Sequence, residues 1–164
     1  MVERSRILWI AVLIVAAWYI LYYYRPPKHI AILQTTLPDF TFDILLQRQP
    51  IVLYDRIADW DELKKAWFPS NRTEVNMSAE VIEDIWVRNY YKYLFIQPVQ
   101  DTEIFLYPAH KKLSEGRPPT DETLLTIKLK GAQALILPYR WHYCVPKTSY
   151  SKFGVHDFLT PWLP

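Results

Sequence analysis

The side chains best suited to chemistry lie in the last quarter of the chain. His142 follows Trp141 in an apolar segment, and His156 is followed directly by Asp157. Imidazole and carboxylate groups can hold a metal ion only where several of them converge. Because side chains alternate along a strand, His156 and Asp157 would point to opposite faces. One hypothesis is a rearranged metal site that combines His142 with one of these two residues, His156 or Asp157. The other hypothesis is that Trp141 and His142 pack at the rim of a fold.

The only cysteine of the chain, Cys144, stands between Tyr143 and Val145. No activating neighbour accompanies it, so we expect a buried structural thiol rather than a nucleophile. One cysteine also excludes an internal disulfide and a zinc site with several thiolates. The chain contains no nucleophile elbow, P-loop, dinucleotide fingerprint or Cys-x-x-Cys motif. The sequence thus predicts no catalytic residue and no cofactor outside the histidine hypothesis.

The overall composition limits the class of protein. The chain has 164 residues, of which 51% are hydrophobic and 22% charged, so a disordered chain is excluded. The length suits one domain with an attached segment. The net charge of +2, from 19 Lys and Arg against 17 Asp and Glu, gives no reason to expect nucleic acid as a partner.

An uncharged apolar run near the start predicts a membrane anchor. The 18 residues from Ile7 to Tyr24 carry no charge. As a helix they would span about 27 Å, close to the hydrocarbon thickness of a thin, ER-like bilayer. Trp9 near one end, and Trp18 with four tyrosines near the other, suit the two headgroup layers. A cleaved signal peptide is the alternative, but Arg25 and two prolines stand where a cleavage site would need small residues. We predict an uncleaved single-pass anchor whose topology stays open, because each flank carries two Lys or Arg residues.

The chain is predicted to consist of an anchor at residues 1–25, a linker at 26–36 and one domain at 37–164. Before Arg88, apolar residues recur mainly at helical spacing, with one short strand between them. The predicted elements of this part are a helix within Leu37–Gln49 with Phe40, Ile44 and Leu45 on its apolar face, a strand at Ile51–Tyr54, a helix from Asp59 to Pro69 with Glu62 in a capping box, and a helix after Ser78 containing Val81, Ile82, Ile85 and Trp86.

After Arg88 the pattern changes to strands rich in aromatic and branched residues. Leu125, Ile127 and Leu129 alternate with polar residues, which is typical of a strand with one buried and one wet face. Helices followed by antiparallel strands favour a mainly β (α+β) domain of jelly-roll or cupin-like type behind the transmembrane helix. The predicted strands are Tyr91–Val99, Thr102–Tyr107, Leu124–Leu129, Ala134–Leu137, Trp141–Val145 and Tyr150–Phe158, with a polar loop at Pro108–Glu122.

Several segments of the chain resemble the cupin-like, or jumonji-C, family of double-stranded β-helix domains. Such domains commonly open with a strand after a proline and then a tryptophan-bearing helix. Gln49–Tyr54, followed by Ala58–Trp60 and Trp67, is similar to that opening. Leu129–Tyr143 resembles the late hairpin of the family, and Glu103–Pro108 the strand and proline before its long loop. These segments cover about a third of the chain and occur in the family's order.

This resemblance implies a fold that has lost its metal chemistry. Complete members bind ferrous iron through a His-x-Asp/Glu pair and a distant His, and leave room for 2-oxoglutarate and oxygen. His142 matches the distant His, but Arg88–Pro98, where the pair should stand, contains no His, Asp or Glu. Ala132 replaces the Asp of the family's Gly-Asp turn. Gly131 is still expected to provide the backbone freedom of that turn.

Three functions are consistent with these features. The first is a non-catalytic structural or scaffolding protein, which the missing ligands favour. The second is a membrane-bound iron and 2-oxoglutarate-dependent oxygenase with an altered triad. The third is a membrane-anchored module that binds a small ligand or a glycan at the mouth of its barrel. The general design is also similar to minor capsid proteins of large DNA viruses, which would link an inner virion membrane to a protein shell; an ER-derived membrane is the rival location.

The expected partners are a lipid membrane and other proteins of a larger assembly. Trp162 and Leu163 form an apolar pair after the last predicted strand, so we expect them to contact a protein partner. Asn71 and Asn76 both begin N-glycosylation sequons, which matter only for a lumenal or external domain. Their chance occurrence in polar turns is the favoured interpretation.

Overall fold

A long apolar helix, α1 (Val2–Tyr24), begins the chain in this computed structural model. The structure describes residues 2–25, 27, 29–55, 73–79, 85–111, 113, 118–119, 123–146 and 149–156. The window Ser5–Tyr22 of α1 is long and apolar enough to cross a membrane, and none of it is buried against the protein. Apolar side chains surround this helix, which distinguishes it from a surface helix with one wet face. The predicted helix over Ile7–Tyr24 is therefore confirmed, and it starts five residues earlier.

The described residues after α1 form a mainly β domain, as predicted. Within the described ranges, one short helix and ten strands follow α1 in chain order. They are β1 (Leu33–Thr35), α2 (Phe42–Leu46), β2 (Ile51–Leu53), β3 (Thr73–Ala79), β4 (Val87–Arg88), β5 (Tyr93–Pro98), β6 (Thr102–Tyr107), β7 (Leu125–Leu129), β8 (Ala134–Pro138), β9 (His142–Cys144) and β10 (Tyr150–Val155).

The described strands lie in two sheets. One has the order β1-β2-β8-β5-β10-β3, and the other has the order β4-β9-β6-β7. Only the β1–β2 pair is parallel among them. From β3 to β10 the pairing is nested: β6 pairs with β7, β5 with β8, β4 with β9, and β3 with β10. The chain therefore follows one long hairpin that is folded across two sheets.

Side-chain alternation explains why the central strands of the larger sheet are apolar throughout. In β8, Leu135 and Leu137 join a cluster with residues of the smaller sheet, such as Ile104 and Leu106. Ile136 faces the other way and joins a cluster that includes Phe40 and Leu45 at α2. Because both faces of this sheet are covered, the sequences of its central strands are continuous apolar runs.

The strand predictions after Arg88 are confirmed for the described residues, and β6 has the predicted bounds. The predicted alternation in β7 is confirmed as well, since Ile127 and Leu129 are buried while Thr126 and Lys128 are exposed. The alternation of apolar and polar residues along β7 determines which of its faces packs on the core and which one meets water.

The division into helices before Arg88 and strands after it is wrong. Ser78, the predicted start of the third helix, lies inside β3, and Ile85 and Trp86 are not helical. The reason is tertiary: β3 is stabilised by pairing with β10 at the edge of the larger sheet. The predicted helix from Asp59 to Pro69 lies outside the described residues. β1 falls inside the segment 26–36 that was predicted as a linker.

The first predicted helix is also shorter than the segment Leu37–Gln49. It begins after Thr41 as the N-cap and ends at Leu46. Arg48 follows with a φ of 54°, a left-handed conformation that does not continue a right-handed helix. As predicted, Leu45 faces the core and Ile44 is partly buried against it.

The turn before β8 has a different design from the predicted one. Ala132, rather than Gly131, has the left-handed backbone, with a φ of 69°. Gly131 is required for a close approach instead, because a Cβ atom there would lie 2.7 Å from the carbonyl oxygen of Val99. Asp101 secures the same turn by accepting a hydrogen bond from the Gly131 amide at 2.8 Å.

Candidate functional site

His142 begins the short strand β9 of the smaller sheet and is buried. Its register partners are Arg88 in β4 and Tyr107 in β6. The Tyr107 ring centroid lies 6.1 Å from that of the imidazole. Trp141, directly before it, is 1% exposed and belongs to the core between the two sheets. Trp141 therefore has the packing role that was one of the two hypotheses for this pair.

Two positively charged side chains lie close enough to His142 to affect its protonation. Burial, together with the guanidinium groups of Arg88 and Arg140, lowers the pKa of His142 to about 4. Its Nδ1 atom is buried and has no hydrogen-bond partner among the described residues. The side chain is thus a neutral imidazole at neutral pH, beside two positive charges.

The residues around His142 do not fit the ferrous iron that the family resemblance implies. Arg88 is the register partner of His142 in β4, and its positive charge repels a cation beside the imidazole. No group of three His, Cys, Asp or Glu side chains that could hold a metal occurs within the described ranges. His156 follows β10 in the other sheet, where its ring lies 4.6 Å from that of Tyr91. Asp157 lies outside the described residues.

The lowered pKa of His142 predicts a defined loss of stability in acid. The folded state keeps this imidazole neutral down to about pH 4, whereas the unfolded chain protonates it near pH 6.5. The unfolded state therefore binds more protons in this window, and the free energy of unfolding falls as the pH drops from about 6.5 towards 4. We expect His142→Gln to reduce this pH dependence in urea titrations at several pH values. His110→Gln, at an exposed position, is the control, and an unchanged slope in His142→Gln would contradict the assignment.

Asn89 organises the same end of the domain and was not singled out by the sequence. It is 1% exposed and lies just after β4. Its Nδ2 donates to the backbone oxygens of Pro138 at 2.9 Å, Leu137 at 3.0 Å and Tyr91 at 3.1 Å. Its backbone NH donates to the carbonyl oxygen of Trp141 at 2.8 Å. One asparagine thus connects the end of β8, the start of β9 and the chain leading into β5.

Cys144 is buried, as predicted for a structural thiol. It packs with Trp86 and Tyr107 in a small apolar cluster on the smaller sheet. These neighbours are apolar or aromatic side chains, which is the packing expected of a buried thiol.

A basic pocket lies where the last turn of α1 meets the domain. The cavity has a volume of about 260 Å³ and is open to solvent. The positively charged residues that line it are Arg25 after α1, Arg48 after α2, Lys92 before β5 and Arg140 after β8, with His110 beside them. Sequence reasoning missed this pocket because these residues are far apart along the chain and none belongs to a motif.

Arg48 joins α1 to the domain at the edge of this pocket. Its Nη1 atom donates hydrogen bonds to the carbonyl oxygens of Tyr22 and Arg25, the latter at 2.7 Å. The guanidinium carbon lies 4.4 Å from the centre of the Tyr22 ring. The Tyr22 hydroxyl donates in turn to the carbonyl oxygen of Leu46 at 2.8 Å. The last carbonyls of a helix have no partner within the helix, so a cation there is well placed.

The other residues singled out by the sequence are only partly described. Trp162 and Leu163, the predicted partner contacts, lie outside the described residues, as does Asn71. Asn76 lies within β3 rather than in a turn. The loop Pro108–Glu122 is described only at residues 108–111, 113 and 118–119.

Comparisons of this chain with protein-family models, with curated proteins and with solved structures find no match. The resemblance to the jumonji-C domains therefore depends only on the segments quoted above.

Proposed function

We propose that this chain is a non-catalytic scaffold that holds a jelly-roll domain in a fixed orientation on a membrane. The nested pairing of β3 to β10 supports the jelly-roll assignment, because a long hairpin folded across two sheets is the architecture of that fold. The cationic surroundings of His142 favour a scaffold over an iron-dependent oxygenase.

The observation that carries this proposal is the junction between α1 and the domain. Arg48 binds two carbonyl groups at the end of α1, and Tyr22 binds back to α2. A cleaved signal peptide would have no need of such contacts, so they support an anchor that is retained. They also favour a stiff connection, since a free hinge would leave the last turn of α1 in solvent.

A scaffold in this position would present its surface to other proteins. Trp162 and Leu163 remain the proposed contacts for such a partner. A virion as the site of assembly remains a prediction from the general design, with an ER-derived membrane as its alternative.

Breaking the Arg48 junction is expected to free the domain from its orientation. Spin labels at Ser5→Cys and Val99→Cys, in a Cys144→Ser background, report the distance between α1 and the domain in lipid nanodiscs. Both labelled side chains are exposed. We expect a narrow distance distribution for the native junction and a broad one for Arg48→Gln. Hydrogen bonds from a charged group contribute about 1.5–3 kcal/mol each, so the equilibrium constant for docking should fall about tenfold or more.

Arg6→Gln, which removes a charge from an exposed position of α1, should leave the distribution narrow. A native distribution as broad as that of Arg48→Gln would contradict the fixed orientation. A mature protein that lacks α1 would contradict the anchor itself.

A further inference from the structure

The short helix α2 carries two large apolar side chains that the domain does not bury. Phe42 is 57% exposed and Leu46 is 45% exposed, whereas Leu45 is fully buried. Residues four apart lie on the same side of a helix, so Phe42 and Leu46 form one surface, which we call the α2 patch. Exposed apolar residues are common on proteins and need no ligand. The position of the α2 patch, rather than its exposure, therefore determines what it can contact.

The α2 patch lies beside the last turn of α1. The Tyr22 hydroxyl donates to the carbonyl oxygen of Leu46 at 2.8 Å, and Arg48 donates to the carbonyl oxygen of Tyr22. Side chains of a helix point back towards its N-terminus, so the Tyr22 hydroxyl lies over the turn that precedes its own Cα atom. That turn belongs to the apolar window Ser5–Tyr22, none of which is buried against the protein. Leu46 is thus held at the level of the span and not beyond its end.

The end of the span is a lipid boundary when α1 crosses a bilayer. Tyrosine and tryptophan side chains are enriched between the hydrocarbon and the headgroups. Trp18 stacks on Tyr22 there, with ring centroids 5.9 Å apart. Apolar surface at this depth gains free energy by leaving water for the acyl boundary.

We propose that the α2 patch inserts into the headgroup–acyl boundary of the bilayer that α1 crosses. The insertion is shallow, because Asp43 is exposed on the same helix and its carboxylate must stay in water or among headgroups. Asp43 lies about 100° around the helix from Phe42, which allows both positions at once. The inference rests on the proposed membrane position of α1, and it adds a lipid contact that the domain itself makes.

Spin-label accessibility of the full chain in phosphatidylcholine nanodiscs tests this contact. Nitroxide labels are attached at Phe42→Cys or at Leu46→Cys in the Cys144→Ser background. Collisions with oxygen, which concentrates in lipid, are compared with collisions with a water-soluble nickel chelate. We expect the oxygen-to-nickel ratio at both positions to be severalfold higher than at Val99→Cys. The two labels are separate variants, so one serves where the other does not fold.

Val99→Cys is the matched control because Val99 is an apolar residue that is 71% exposed at the other end of the domain. It follows β5, whose first residue, Tyr93, donates through its hydroxyl to the carbonyl oxygen of Leu45 at 3.4 Å. The 6 residues of β5 extend about 20 Å from there. A label at Ile14→Cys, exposed in the middle of α1, reports separately whether α1 lies in the bilayer.

The labels on α2 and α1 separate this inference from the proposed anchor. A high ratio at Ile14→Cys, with ratios at both α2 positions as low as at Val99→Cys, would contradict the lipid contact and leave the anchor standing. A low ratio at Ile14→Cys would contradict the anchor and the lipid contact together. Low collision rates with both reagents at the α2 positions would assign the patch to a protein partner, and would likewise overturn the lipid contact.

Discussion

Replacing Asn89 with alanine is expected to lower the free energy of unfolding by about 3 kcal/mol, because each buried polar group left without a partner costs about 1–3 kcal/mol. The Asn89 side chain donates to the carbonyl oxygens of Pro138 and Leu137 and accepts from the Tyr91 amide at 2.9 Å. Alanine would remove the Asn89 side-chain bonds to all three groups, of which the carbonyls of Leu137 and Pro138 are buried. The loss is a large share of the stability of an ordinary domain, about 5–15 kcal/mol.

Urea unfolding followed by tryptophan fluorescence measures this change. Asn89→Asp keeps the acceptor for Tyr91 but removes the donors and buries a charge, so we expect it to be at least as destabilising as alanine. Gln100→Ala removes an amide from an exposed position and should change stability by less than about 0.5 kcal/mol. A cost below about 1 kcal/mol for Asn89→Ala would contradict the role of Asn89 at this junction.

Gly154→Ala is expected to cost about 2–3 kcal/mol, near the upper end of the penalty for inserting a methyl group into a packed site. A Cβ atom at Gly154 in β10 would lie 2.0 Å from an atom of the Tyr91 ring and 2.2 Å from its Cγ. The ring lies over the glycine backbone, and His156 contacts it as well. Tyr91 therefore cannot rotate away without giving up other contacts.

A double-mutant cycle separates this steric effect from a general weakness of β10. In a Tyr91→Ala background the space above Gly154 is open, so Gly154→Ala should become nearly neutral. The two thermal unfolding series then differ by the coupling energy of the pair. An equal cost of Gly154→Ala in both backgrounds would show that the ring is not the cause.

Local patterns in the sequence predict much of this fold. The uncharged run in α1 predicts its helix, and the alternation in β7 predicts its buried face, because each signal resides in the segment itself. The strands β3 and β4 give no comparable signal. β4 has two residues, and β3 is stabilised by its neighbour β10, so their existence depends on long-range pairing.

The candidate sites also combine features that the local sequence predicts with features that depend on long-range contacts. His142 stands out in the sequence by its residue type, but only the register of β4 and β9 places Arg88 opposite it. The resemblance to jumonji-C domains predicts that ligands are missing, but it does not predict the Arg88 charge opposite His142. The basic pocket combines residues from four separate parts of the chain, and Asn89 has contacts with partners almost fifty residues away. No local spacing contains that information.

Because the strand pairing is nested, the order in which the strands are synthesised differs from the order in which they can pair. The ribosome makes β1 to β3 before the later strands, but β2 needs β8 and β3 needs β10 as antiparallel neighbours. The local hairpin of β6 and β7 can form early, whereas the outer pairs close long loops and form slowly. During synthesis, β2 and β3 therefore lack their antiparallel partners until β8 and β10 have left the ribosome, so the sheet is complete only at the end of the pairing sequence.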